Sequence, residues 1–111
     1  MAESGTDARI VLTTAGSGDE ARKIGRILVE ERLAACTTII PTVESIYRWE
    51  DKLETARETL LLIKTTAAQL PALESRLHAL HSYQTPEFLV LPVESGSEGY
   101  MAWLHASLQG A

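Results

Sequence analysis

"CTTIIPTVESIYRW", Cys36 to Trp49, followed by "EDK" and then by "ETLLLIKTT", Glu58 to Thr66, is the stretch on which the fold turns. Its first run is β-branched and aromatic enough for one long strand, with a bulge or kink expected at Pro41, which cannot donate to a sheet ladder. Glu50 to Lys52 supplies a polar turn, and Glu58 to Thr66 returns as the partner strand. The unbroken apolar centre of that second run predicts a strand covered on both faces.

Upstream, "RIVLTTA", Arg9 to Ala15, reads as the first strand, stopped by Gly16. "SGDE", Ser17 to Glu20, matches a capping box, in which serine and glutamate side chains satisfy each other's backbone amides at a helix start. Ala21, Ile24, Ile27 and Leu28 then recur at helical spacing, and the pattern fades near Leu33. Gly25, beside that stripe, permits close approach to a sheet. Downstream, Leu70, Leu73, Leu77 and Leu80 mark a second helix, with Pro71 suited to its first turn. "EFLVLPV", Glu87 to Val93, is a fourth strand, and Ser97 to Leu108 a short closing helix.

The order is strand, helix, strand, strand, helix, strand, helix. Two split βαβ units of this kind predict an α+β fold, a ferredoxin-like βαββαβ sandwich with its helices on one sheet face, an extended central hairpin and a short C-terminal helix. Residues 1–8 read as a flexible N-terminal arm and residues 9–111 as a single domain.

Composition narrows the function classes. The chain has 111 residues, a formal charge of −5 and 45% hydrophobic content, ordinary for one globular unit. The acidic balance opposes phosphate backbones, and lysines and arginines are scattered among acids, so no nucleic-acid partner is expected. No apolar run approaches the roughly 20 residues that cross a bilayer, and "MAESGTDA" has no secretory pattern. The expectation is a cytoplasmic protein with no membrane partner. Cys36 is the single cysteine, so no internal disulfide and no zinc-knuckle spacing exists.

One sheet face and the far end of the hairpin, around Ile46, Tyr47 and Trp49, are left without cover in this layout. Natural proteins do not leave such edges bare, and further copies in a closed ring are the economical shelter.

The blocks "RILVEERLAACTTIIPTVESIYRWEDKLE", "LLLIKT" and "LPALESRLHALHSYQTPEFLVLPVESGSEGYMAWL" resemble the CutA divalent-cation tolerance proteins, in order and spacing, from about Ile10 to Leu108. The resemblance implies a ferredoxin-like fold related to the PII signalling proteins, a homotrimer built through the long hairpins, and a role in the response to metal ions. The family's recurring positions fall on Cys36, Tyr47, Trp49, Lys64, His81, Tyr83, Pro86 and Glu87. In "HSYQTPE" this chain departs from the usual His-Pro-Tyr-Glu-Val-Pro-Glu at Ser82, Gln84 and Thr85, which removes one acid.

Chemistry then nominates the residues. A thiolate with an imidazole suits copper, which makes Cys36 and His81 the candidate metal pair, although a cysteine beside Ala34 and Ala35 also suits a core position. His78 and His81, three apart, could share an ion or simply cap the end of a helix. His105 is read as a surface residue without an evident partner. Tyr47, Trp49, Lys64, Tyr83 and Glu87 are the expected lining of an intersubunit cleft. No nucleophile elbow, P-loop or dinucleotide motif is present, so no catalytic residue and no enzyme is expected. No resident cofactor is required, and copper or another divalent cation is the candidate bound ion. A PII-like sensor holding a small effector in the same cleft is the alternative.

Overall fold

The computed structural model describes residues 5–109. Its elements are β1 (Ala8–Ala15), α1 (Gly18–Glu30), β2 (Cys36–Trp49), β3 (Lys52–Thr66), α2 (Leu70–Leu80) after a short 3-10 turn, β4 (Leu89–Pro92) and α3 (Glu98–Leu108). The four strands form one sheet in the order β2-β3-β1-β4, and every neighbouring pair is antiparallel. This is the ferredoxin-like arrangement that the strand and helix order predicts.

Of the expected N-terminal arm, Met1 to Ser4 lie outside the described residues. Thr6 is bonded to the Val93 carbonyl through both its amide and its hydroxyl, and Ala8 already opens β1.

Local chemistry explains the boundaries. Ser17 caps α1 by accepting the Glu20 amide at 3.1 Å. The helix ends in a Schellman motif: Arg32 donates to the Val29 carbonyl and Leu33 to the Leu28 carbonyl, with Arg32 itself at φ 60°. The expected kink is a β-bulge, in which Pro41 and Thr42 stand opposite Thr59, whose hydroxyl holds the Pro41 carbonyl at 2.8 Å.

Two strand lengths differ from the sequence reading. β3 starts at Lys52 instead of Glu58, because Glu50 and Asp51 at φ 51° and 65° make a two-residue turn that keeps the ladder in register from its first pair, Trp49 and Lys52. β4 is only four residues, Leu89–Pro92, paired to β1 as an edge strand where proline is tolerated.

Alternation along the strands separates two faces. Val11 and Ala15 of β1 and Leu61 and Ile63 of β3 pack under Ala21, Ile24 and Leu28 of α1 and Leu73 and Leu77 of α2, all fully buried. Gly25 lets α1 sit this close: a Cβ there would meet Thr37 Cγ2 at 2.9 Å. The other face carries Ile10, Leu12, Ile40, Leu60, Leu62, Leu89 and Leu91, none of them fully buried. Coverage of β3 on both faces is therefore not supplied by the described residues of one chain. Nor do all helices share a face: Leu104 and Leu108 of α3 pack on Ala8 and Ala35, and Ala8 belongs to the side of Ile10 and Leu12. The closing helix thus caps one end of the otherwise open face.

Beyond Ala15, which pairs with Thr59, β2 and β3 run on together without β1. This arm, residues 43–49 with 52–58, reaches about 20 Å further at the usual rise per residue. Ile46, Trp49 and Leu53 on it are 64%, 57% and 73% exposed.

Candidate functional site

The junction after α2 is built around one buried ring. His81 ends α2, its amide still donating to the Leu77 carbonyl, and its side chain is completely enclosed. Nε2 lies 2.7 Å from the Thr14 carbonyl oxygen, which can only accept, so Nε2 carries the hydrogen. Nδ1 accepts the Tyr83 amide at 3.0 Å. Together these bonds define a neutral imidazole with both nitrogens engaged.

Glu20 completes the clamp. Its carboxylate accepts the Ser82 amide at 2.8 Å and stands 3.6 Å from His81 Nδ1. Only half of the expected capping box therefore forms: Ser17 caps the helix, while the glutamate reaches a loop 62 positions away. Burial is the largest influence on the Glu20 pKa and raises it, but the lowering influences, led by the bonds from Ser82, together outweigh it and the net direction is downward.

Tyr83 leans on His81, ring centroids 4.7 Å apart, and donates its phenol hydrogen to Glu58 at 2.7 Å. Burial first, and then the Glu58 bond and charge, push its pKa far above the ordinary tyrosine range. Glu87 is also raised, by burial and then by repulsion from Glu58. Beside this cluster an open cleft of ≈ 280 Å³ lies between the Gly16–Gly18 turn and the bulge at Pro41 and Thr42, with Glu58 and Arg57 on its lining.

Sequence reasoning named His81, Tyr83 and Glu87 here but missed Glu58, the Thr14 carbonyl and the second role of Glu20. The one available signal was Glu20 in the capping motif.

The remaining candidates lie elsewhere. Cys36 is half-buried on the open sheet face, where Lys64 Nζ donates to Thr38 Oγ1 at 2.8 Å and stands 3.8 Å from Cys36 Sγ. Cys36 pairs with Lys64, and Lys64 with Ile10, four residues along β1 from Thr14. That is about 13 Å along the strand, so one chain does not bring Cys36 and His81 together. Lys64 is six positions from Glu58, about 20 Å along β3. Tyr47 and Trp49 extend up the arm on the side of the ladder that Glu58 shares.

The histidine pair also separates: His78 is exposed and engages its own helix at the Glu74 carbonyl, while His81 turns inward. His105, expected to be unpartnered, bonds both Asp7 and the Met101 carbonyl. Among the described residues no group of three or more His, Cys, Asp or Glu side chains is arranged to hold a metal ion, and no helix is long and apolar enough to cross a membrane.

A ferredoxin-like sheet with one open apolar face, a projecting β-arm and a histidine-clamped loop beside its base defines a class of small α+β proteins. The profile of the CutA1 divalent ion tolerance protein family matches residues 9–107. Similar proteins agree with it. The divalent-cation tolerance protein CutA of Thermus thermophilus is 47% identical over 95 residues, 86% of this chain and 92% of that one. The crystal structure of CutA from Xylella fastidiosa superposes with a TM-score of 0.91 at 40% identity, covering 94% of this chain and all of that one. CutA from Archaeoglobus fulgidus, described as periplasmic, has a TM-score of 0.89 at 31% identity over 92% of this chain and 99% of its own. The chain belongs to the CutA1 family.

Proposed function

We propose that this protein serves divalent-cation tolerance as a non-enzymatic homotrimer that binds copper or another divalent cation weakly, at or near the clefts between its copies. Family membership supports the tolerance role, and the relatives' shared name favours it over the effector-binding PII-like alternative. The observation that carries the assembly is the apolar strip of Ile10, Leu12, Leu60, Leu62, Leu89 and Leu91, continuous with an arm whose Tyr47 and Trp49 are half-exposed. A contiguous apolar surface of this kind marks an interface, and a closed ring leaves no growing edge.

The metal reading rests on soft-ligand chemistry. Cys36 presents a free thiol and suits Cu(I); the described residues of one chain assemble no complete ligand set, and the proposed coordination is shared between copies. His81 can ligate only by giving up the Tyr83 amide at Nδ1 or its proton and the Thr14 carbonyl at Nε2; its main role is to hold the loop. The non-enzymatic reading is supported by Tyr83 and Glu58, which satisfy each other in a pair that resists ionisation of the phenol. A cytoplasmic location is in keeping with an unpaired cysteine, and cell fractionation checks it.

Sedimentation velocity of dilute protein tests the assembly: a trimer is expected, and a stable folded monomer overturns it. Calorimetric copper titration tests the ligand. Cys36→Ser is expected to lower affinity at least tenfold, a loss of about 1.4 kcal/mol; unchanged binding removes Cys36 from the site while leaving the trimer standing.

A further inference from the structure

One imidazole ties the last helix to the opposite end of the chain. His105 Nδ1 is 2.8 Å from the Met101 carbonyl oxygen and Nε2 is 2.7 Å from Asp7 Oδ1. A carbonyl accepts only, and so does an ionised carboxylate, so both ring nitrogens must donate and the ring is an imidazolium. Its place in the last turn of α3 favours the same charge, because the free carbonyls of a helix end attract a cation.

We propose that His105 and Asp7 form a proton-controlled latch that holds α3 against the start of β1 and so sets how firmly the helix covers its end of the open sheet face. Asp7, just before β1, is the charged group bonded to the ring. The neighbouring cations are turned elsewhere: Arg9 to the Thr6 and Ala8 carbonyls, Arg32 to the Ser107 carbonyl, and Lys64 of β3 to Thr38.

Removing one proton leaves a ring with a single donor. If that donor stays on Met101, a nitrogen lone pair faces the Asp7 carboxylate and repels it; if it moves to Asp7, the Met101 bond is lost. Either way the latch opens, leaving the packing of Leu104 and Leu108 on Ala8 and Ala35 and the Arg32 bond to the Ser107 carbonyl to hold the helix. The Asp7 bond, then the Met101 carbonyl, raise the His105 pKa above 6.5. Linkage gives the sign: the latch contributes fully below the ordinary histidine value and is lost as pH climbs through the raised one.

Histidine-ring NMR titration of the full chain, with amide hydrogen exchange of Leu104 and Leu108 corrected for intrinsic rate, tests this. Protection in α3 is expected to fall about two- to fivefold as pH passes the His105 midpoint, the size a surface ion pair provides. In Asp7→Asn and in His105→Gln that step disappears. Protection that is level across the midpoint in the native chain overturns the latch, and so does a step that persists in Asp7→Asn.

Discussion

The two halves of the β2–β3 hairpin share strands and a ladder, yet only the near half is part of a core. At the near half, Leu61 and Ile63 are sealed beneath α1 and α2. In the arm, Ile46 and Leu53 remain largely exposed although their backbone pairing continues without a break from Val43 to Trp49. The difference shows that β-branched content and a good turn are enough to form a strand pair, whereas burial depends on which other elements reach it. Helices of 13 and 11 residues leave the arm exposed, and none of the described residues shelters it.

Substitutions can break that contrast. Leu61→Ala is expected to cost about 2–5 kcal/mol in chemical denaturation, the range for emptying a packed site. At equal protein concentration, Ile46→Ala is expected to act instead on association, lowering the trimer fraction in sedimentation. Equal losses of intrinsic subunit stability from the two changes would erase the distinction between the halves.

Gly25→Ala probes how closely α1 is seated on the near half. Its methyl group would meet Thr37 at 2.9 Å, and overpacking of this kind typically costs about 1–3 kcal/mol. Adding Thr37→Ser, which removes the clashing Cγ2, is expected to recover part of that loss.

The turn of the arm offers a change of opposite sign. Glu50 and Asp51 occupy left-handed backbone that asparagine and glycine adopt more readily. Glu50→Asn with Asp51→Gly is expected to stabilise the turn, because left-handed backbone costs an ordinary residue roughly 1–2 kcal/mol, read as a higher thermal midpoint with no change in the near half's amide protection.

The smallest effect concerns acid. The Glu20 pKa is lowered in the folded chain, so its contribution is present above the ordinary carboxylate value of 4.5 and disappears as pH falls through the lowered one. Glu20→Gln is expected to flatten the stability profile on the acid side and to speed exchange of the Ser82 amide, while the arm's profile stays unchanged.

How much of this was legible beforehand follows from the range of each interaction. The long second strand, the bulge at Pro41 and the stripe of Ala21, Ile24 and Leu28 are visible in the sequence because periods of two and 3.6 residues, and proline's missing donor, act locally. The family was legible too, through blocks spread over nearly the whole chain. The sequence places the start of the return strand at Glu58, too late, because Lys52 to Arg57 is polar and looks like loop; it is strand because β2 runs beside it.

Of the candidate site, His81, Tyr83 and Glu87 could be named, but their partners could not. Glu20 has the residue type and spacing of a helix cap, and only packing α1 against the α2–β4 junction shows that its carboxylate serves Ser82. The sequence by itself determined the elements, their order and which positions are apolar. Tertiary structure alone decided the tautomer of His81, the pairing of Tyr83 with Glu58, the separation of Cys36 from His81 and the face on which α3 lies. The physical reason is reach: hydrophobic period and turn chemistry operate over a few residues, whereas hydrogen bonds across 25 to 98 positions exist only once the layers are stacked.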